Sequence, residues 1–248
     1  MKPTNPIPKA RRRWVEVNLS GARFHNVDLS GARVRGASLR NAELDGAIEG
    51  LVVNGVDVAP YVEAQRDGRY PERVATRRGD AEGLREAWAG TSDRWKHTMA
   101  EVAARPATDL TRSLDGEWSF LQTLRHLVFA TDAWYLRCVR RERDPFWPAG
   151  VPATDMPPWF VAACRLDPQA APSPEDVFAA RAERRRHVGE FLARATDANL
   201  AEPCRRNPVA AYPADPRKFT VGQCLGIVVT EELEHWIIAT RDLAALGG

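Results

Sequence analysis

Cysteine is scarce and scattered in this chain: Cys138, Cys164, Cys204 and Cys224 are the four among 248 residues, and no two stand at CxxC spacing. That excludes a disulfide-stapled secreted framework and a zinc ribbon, and fits a reducing cytoplasm. Long apolar runs are missing too. The most apolar stretch, Val221 to Leu243, is interrupted by Glu231, Glu232 and Glu234, so nothing approaches the ~20 uninterrupted apolar residues of a membrane span. The basic start, with Lys2, Lys9 and Arg11 to Arg13, lacks the apolar run of a signal peptide. Charge excess is lacking as well. A net charge of +2 gives no global attraction to nucleic acid. With nucleic acid and membrane set aside, the expected partner is a small-molecule substrate, and a homodimer stays open.

What the chain does have, first, is a period of five. Leu19, Phe24, Leu29, Val34, Leu39 and Leu44 form one series; Val17, Ala22, Val27, Ala32, Ala37, Ala42 and Ala47 stand two positions earlier. This resembles the pentapeptide-repeat family. The resemblance implies a short right-handed quadrilateral β-helix, one unit per side, with both series pointing inward, His25 belonging to one of its units. Six or seven units make less than two coils, so such a solenoid needs a cap. Val53-Asn54-Gly55-Val56 reads as a closing hairpin. The expected organisation is a mobile arm at 1–14, the repeat with its closing strands at 15–58, a linker helix within 59–79, and a helical domain at 80–248. Repeat and helical part are expected to be inseparable, each covering apolar surface of the other.

From Asp80 the spacing of Leu84, Trp88, Trp95, Met99 and Val102 predicts a helix to about residue 103, which Pro106 ends. Asp115 is a candidate N-cap for a second helix reaching Arg141. Ser173-Pro174-Glu175-Asp176 opens a third, and Thr220 caps a fourth from Val221. The long connections 144–172 and 201–219 carry many prolines. Four helices with such connections predict a bundle with a site at one end, here beneath Trp147 and Trp159. The whole chain is then α+β.

On the fourth helix, 3.6 residues per turn places Glu231 and His235 on one stripe with Cys224, Val228 and Ile238. A carboxylate and an imidazole one turn apart can grip a metal ion, or form an ordinary polar pair. Glu232 falls on the most apolar stripe, with Val221, Leu225, Ala239 and Leu243, and a buried carboxylate needs a partner. Of the histidines, His187 follows Arg184, Arg185 and Arg186 on what reads as a solvated basic face, and His97 has no ligand-type companion. His126 is flanked on its own stripe by small Ser119, Thr123, Ala130 and Ala133, which suits either a half-exposed histidine or a ligand in a crevice.

Trp118-Ser119-Phe120, Leu124-Arg125-His126-Leu127, Asp132-Ala133-Trp134, Glu231-Glu232-Leu233-Glu234-His235 and Arg241-Asp242-Leu243, in this order, resemble the DinB-like superfamily of metal-binding four-helix bundles. More narrowly they resemble actinobacterial proteins that join such a bundle to a short pentapeptide repeat, in the branch of mycothiol-dependent maleylpyruvate isomerase-like proteins. The resemblance implies a divalent metal, zinc or nickel, on His126, Glu231 and His235, with Glu232 as proton acceptor or supporting group. It also implies a thiol transferase or hydrolase reaction with mycothiol or another low-molecular-weight thiol. Close relatives carry two adjacent histidines where this chain has His235-Trp236, so the alternative pair, Glu232 with residue 236, lacks its imidazole here. The rival reading is a non-catalytic bundle, metal-free or with a structural ion, that acts through its repeat in oligomerisation or protein interaction.

Overall fold

The structure is a computed structural model that describes residues 14–24, 27–114, 116–152, 156–209 and 216–246. The chain divides into two units at Ala59/Pro60. In the first unit tight turns recur every ten residues: the amides of Ala22, Ala32 and Ala42 donate to the carbonyls of Leu19, Leu29 and Leu39 at 3.0, 2.9 and 3.2 Å. Strands β1 (Val52–Val53) and β2 (Val56–Asp57) pair antiparallel. Asn54 and Gly55 both take positive φ, 50° and 86°, the geometry of a type I′ turn, so the expected hairpin is present.

The expected β-helix is not confirmed: among the described residues the repeat itself holds no strand. The series expected to point inward is open to solvent, with Leu19, Phe24, Leu29, Val34, Leu39 and Leu44 between 45% and 67% exposed. The physical reason is length. With less than two coils, each apolar side chain has no layer stacked on both sides of it. The expected mobile arm, His25 and the Asp115 cap lie outside the described residues, apart from Trp14.

The second unit is helical. The supposed linker is two helices, α1 (Ala59–Arg69) and α2 (Pro71–Arg78), and α2 packs on α3 (Ala81–Val102) and on α9 (Val221–Leu246). Contact with α3 is close. A Cβ added at Gly90 would lie 2.8 Å from the Glu72 carboxylate, which is buried and paired to Arg94 at 2.6 Å. Arg66 of α1 and Arg73 of α2 both reach Glu234 of α9, at 2.5 and 2.7 Å. Residues 60–79 therefore belong to the helical unit.

Helix starts follow capping chemistry. The carboxylate of Asp80 accepts the Gly83 amide at 2.6 Å. Helix α5 (Phe120–Thr131) starts from a capping box of Ser119 and Gln122. Ser173 opens α7 (Pro174–Arg194) with Pro174 in its first turn, and Thr220 opens α9 by exchanging hydrogen bonds with Gln223. Short helices α4 (Ala107–Thr111), α6 (Pro158–Ala163) and α8 (Asp197–Leu200) occupy the connections. Helix α5 continues directly as a π-helical segment, Asp132–Val139.

Helix α3 packs against α7 and α9, and α5 against the same two. One apolar cluster gathers Leu84, Tyr135, Val188, Leu192, Leu225 and Val228; a second gathers Trp95, Phe120, Leu124, Leu127, Val177 and Leu243. No helix of the described residues is long and apolar enough to cross a membrane.

Asp132, at the start of the π segment, has no solvent exposure. Its carboxylate accepts Arg184 Nε and the Trp147 amide, each at 2.9 Å, which pins the connection 144–152 to α5. Burial pushes this carboxyl up to about 6, against the pull of Arg184 and the Trp147 amide. With the folded value above the ordinary 3.8, the group's contribution to stability is complete below about pH 3.8 and is lost as pH rises through about 6. The stability of the wild type relative to Asp132→Asn should therefore fall by on the order of 3 kcal/mol between pH 4 and 7. Urea unfolding across that range checks it, and a difference that grows with pH would contradict it. A second expectation concerns boundaries. A chain of residues 60–248 should melt as one cooperative domain, whereas one beginning at Asp80 uncovers the α2 faces of α3 and α9 and should melt well below it by circular dichroism.

Candidate metal centre

The capping box at Ser119 fixes where α5 begins, and this places His126 in its second turn, facing α9. Glu231 and His235 lie one turn apart in the middle of α9. The structure brings these three sequence-predicted ligands together: each offers one donor atom, all within 4.8 Å of one another. Nε2 of His126 is 3.3 Å from Glu231 Oε2, and Nδ1 of His235 is 3.2 Å from the same oxygen. The two imidazole rings are 4.7 Å apart.

Backbone carbonyls set the rings. Nδ1 of His126 lies 3.0 Å from the Val151 carbonyl, which can only accept, so this nitrogen carries the proton and Nε2 faces Glu231. Nδ1 of His235 is likewise 3.0 Å from the Glu231 carbonyl. If the His126 ring is neutral, its Nε2 turns a lone pair toward a carboxylate oxygen, and a proton or a metal cation between them relieves that contact. Two donors each about 2.0–2.2 Å from one tetrahedral ion would lie roughly 3.3–3.6 Å apart, which the His126–Glu231 separation matches. Two imidazoles and one carboxylate are also a donor set that divalent zinc and its neighbours accept. The residues present fit a metal.

Burial pushes the Glu231 carboxyl up, but His126 and His235 in their protonated forms outweigh it by hydrogen bonding and charge and hold it at about 2. It is ionised throughout the neutral range. The indole of Trp118 lies over both rings, 4.6 Å from His126 and 6.1 Å from His235. Beside it is a cleft lined by Arg112, Trp118, Thr123, Ala239 and Asp242, with Thr123 one turn before His126 and Ala239 one turn after His235. Its volume is about 10 Å³, room for one water. Trp147 and Trp159, expected to cover the site, do not line this cleft. Trp147 packs with the second apolar cluster, and Trp159 is 53% exposed on α6.

Glu232 is not placed as a proton acceptor. Its carboxylate, 1% exposed, is held by Arg181 through two bonds of 2.8 and 2.7 Å and by Arg185 at 2.5 Å. Burial alone would raise its pKa, yet the two guanidiniums keep it below the ordinary value. Residue 236 belongs to the same side: Trp236 Nε1 donates to Thr98 Oγ1 of α3 at 2.9 Å. The carboxylate that meets His126 is therefore Glu231, and the alternative register faces α3 and α7.

The basic face of α7 is a correction as well. Arg181, Arg184 and Arg185 turn inward, to Glu232 and Asp132, while Arg186 stays exposed and His187 is half-buried. Their i, i+3, i+4 spacing was the available signal, since such a trio shares one helix face. Trp118 and the Val151 carbonyl carried no comparable signal, because both reach the site from segments without helical periodicity.

A helical unit with a His/Glu/His donor cluster shared between two of its helices is a candidate metal-binding domain. Family comparison agrees at the level of the fold: the DinB superfamily profile matches residues 102–239, more than half of the chain and inclusive of all three ligands. The chain belongs to the DinB superfamily. Pentapeptide repeats (8 copies) match residues 17–48. No curated protein and no solved structure matches.

The two adjacent glutamates should separate on substitution. Glu232→Gln leaves one buried and one half-buried guanidinium without their carboxylate and should cost about 3–5 kcal/mol in denaturant unfolding. Glu231→Gln should cost less than half of that, and equal losses would show that Glu232 has no special structural task.

Proposed function

We propose that the helical unit is a metal-dependent transferase or hydrolase that acts on a small molecule with a low-molecular-weight thiol, mycothiol or a relative, as co-substrate. Zinc or nickel would be held by His126, Glu231 and His235. The observation that carries this reading is the convergence of two imidazoles, His126 of α5 and His235 of α9, on one ionised carboxylate oxygen. A bound divalent ion would supply Lewis acidity, which acidifies a water or thiol beside it. The chain's own residues do the rest. The Val151 carbonyl holds the His126 ring, the Glu231 carbonyl holds that of His235, and Trp118 shuts water out from one side. With about 10 Å³ in the cleft beside Trp118, a substrate enters by displacing that indole. Glu232 positions α9 in this reading instead of accepting a proton.

The finer fold reading belongs to the same proposal. Helices α3, α5, α7 and α9 are taken as the four members of the family's bundle, and the repeat as a β-helix that coils tightly once its apolar series is covered. That open series supports a second reading, a non-catalytic bundle that self-associates through the repeat.

Metal analysis tests the first reading against the metal-free form of the second. Protein purified without an affinity tag should carry about one divalent ion per chain. His126→Ala, His235→Ala and Glu231→Gln should each lose at least ~90% of it, since removing one of three ligands costs tenfold or more in affinity, while Glu232→Gln retains it. Equal metal in all variants, or none in the wild type, sinks the enzymatic reading.

A further inference from the structure

Cys138, Cys204 and Cys224, far apart in the sequence, are buried in one apolar cluster. Cys138 comes from the π segment, Cys204 from the segment after α8, and Cys224 from the first turns of α9. The sulfurs of Cys204 and Cys224 are 3.5 Å apart, close to van der Waals contact. The backbone around them is clamped: the Cys204 amide donates to the Phe219 carbonyl at 2.8 Å, and the Val221 amide donates to the Glu202 carbonyl at 2.9 Å. Pro203 and Thr220 form a bridge between those two bonds. The thiols cannot separate without breaking this pairing. Neither belongs to the donor cluster on His126, Glu231 and His235.

We propose that Cys204 and Cys224 are a redox pair that closes to a disulfide in exchange with the disulfide of a small thiol. The step balances. The Cys204 thiolate attacks one sulfur of RSSR and expels RS⁻, leaving a mixed disulfide. Cys224 then attacks the Cys204 sulfur and expels the second RS⁻. The pair loses two electrons and two protons, RSSR gains them, and two RSH leave.

Cys204 is the entry point because Pro203 and Arg205 on either side of it are exposed, whereas Cys224 lies within a helix. Its hydrogen bond with Cys224, and then burial, push the Cys204 thiol far above its ordinary range. The hydrogen bond with Cys138 and burial raise Cys224, against the pull of Cys204. Thiolate is therefore scarce at neutral pH, so exchange is slow and quickens in alkali or when the segment 201–209 opens. Closure would fasten that segment to α9 two turns ahead of Glu231. This inference does not depend on metal binding.

The test treats the full-length protein with excess 2-hydroxyethyl disulfide at mildly alkaline pH, then alkylates free thiols in denaturant. Two of the four cysteines should escape alkylation. The unalkylated protein should be lighter by about 2 Da, and a tryptic map should join the peptides of Cys204 and Cys224. Dithiothreitol should restore all four thiols. Cys138→Ser should still form the link and Cys204→Ser should form none; should the latter fail to fold, the wild-type map decides alone. Four alkylated cysteines, a persistent adduct with the small thiol, or a link between Cys138 and Cys224 would each overturn the proposal.

Discussion

Everything at the candidate metal centre depends on a carboxylate that does not touch it. Glu232 is a charge with almost no access to solvent, and an isolated charge in that position would cost several kcal/mol. Arg181 and Arg185 make it tolerable, and each guanidinium in turn lies on an indole, 4.2 Å from Trp95 and 4.7 Å from Trp88. Such a group contributes less to net stability than its bonds suggest, because desolvation cancels most of the attraction. What it contributes is angular definition. One bidentate contact and one further bond join α7 to a single position of α9, and any rotation of α9 about its axis breaks them. Glu231 points about 100° away on the same helix, so its direction toward His126 is fixed by its neighbour's partners.

A second line of contacts does the same for α5. Arg184 holds Asp132, Asp132 holds the amide of Trp147, and the Arg125 guanidinium donates to the Ala149 carbonyl at 2.6 Å. The segment 147–151 is thereby pressed along α5, where its Val151 carbonyl orients His126. One helix, α7, thus anchors both halves of the site through arginines four residues or fewer apart. Neither half touches α7 with a donor atom of its own.

Much of this was legible in the sequence, and the boundary follows physical range. Helical periodicity is local, so it put Glu231 and His235 on one stripe and Glu232 among Val221, Leu225, Ala239 and Leu243, all of which are buried. Capping chemistry is local too, and Asp80, Ser173 and Thr220 behave as their side chains dictate. Partner choice is not local. Arg184 and Arg185 read, with Arg186, as a solvated face until buried carboxylates on other helices are placed opposite them. The repeat shows the converse limit: a period of five is plain in the residues, but whether its apolar series is buried depends on how many coils are stacked.

The π segment has a consequence for chain length. Each widened turn takes in a residue without completing an extra revolution, so the angular phase of the helix after Thr131 is offset from the phase before it. His126 lies upstream of that offset, and Tyr135, Arg137 and Cys138 lie downstream. Removing a single residue between 132 and 139 would let a widened turn revert to α geometry, with the downstream face and the histidine both left where they are. The helix therefore behaves as two elements joined by a phase shift. Its first half can keep a fixed aim while its second half is free to be re-indexed by one residue.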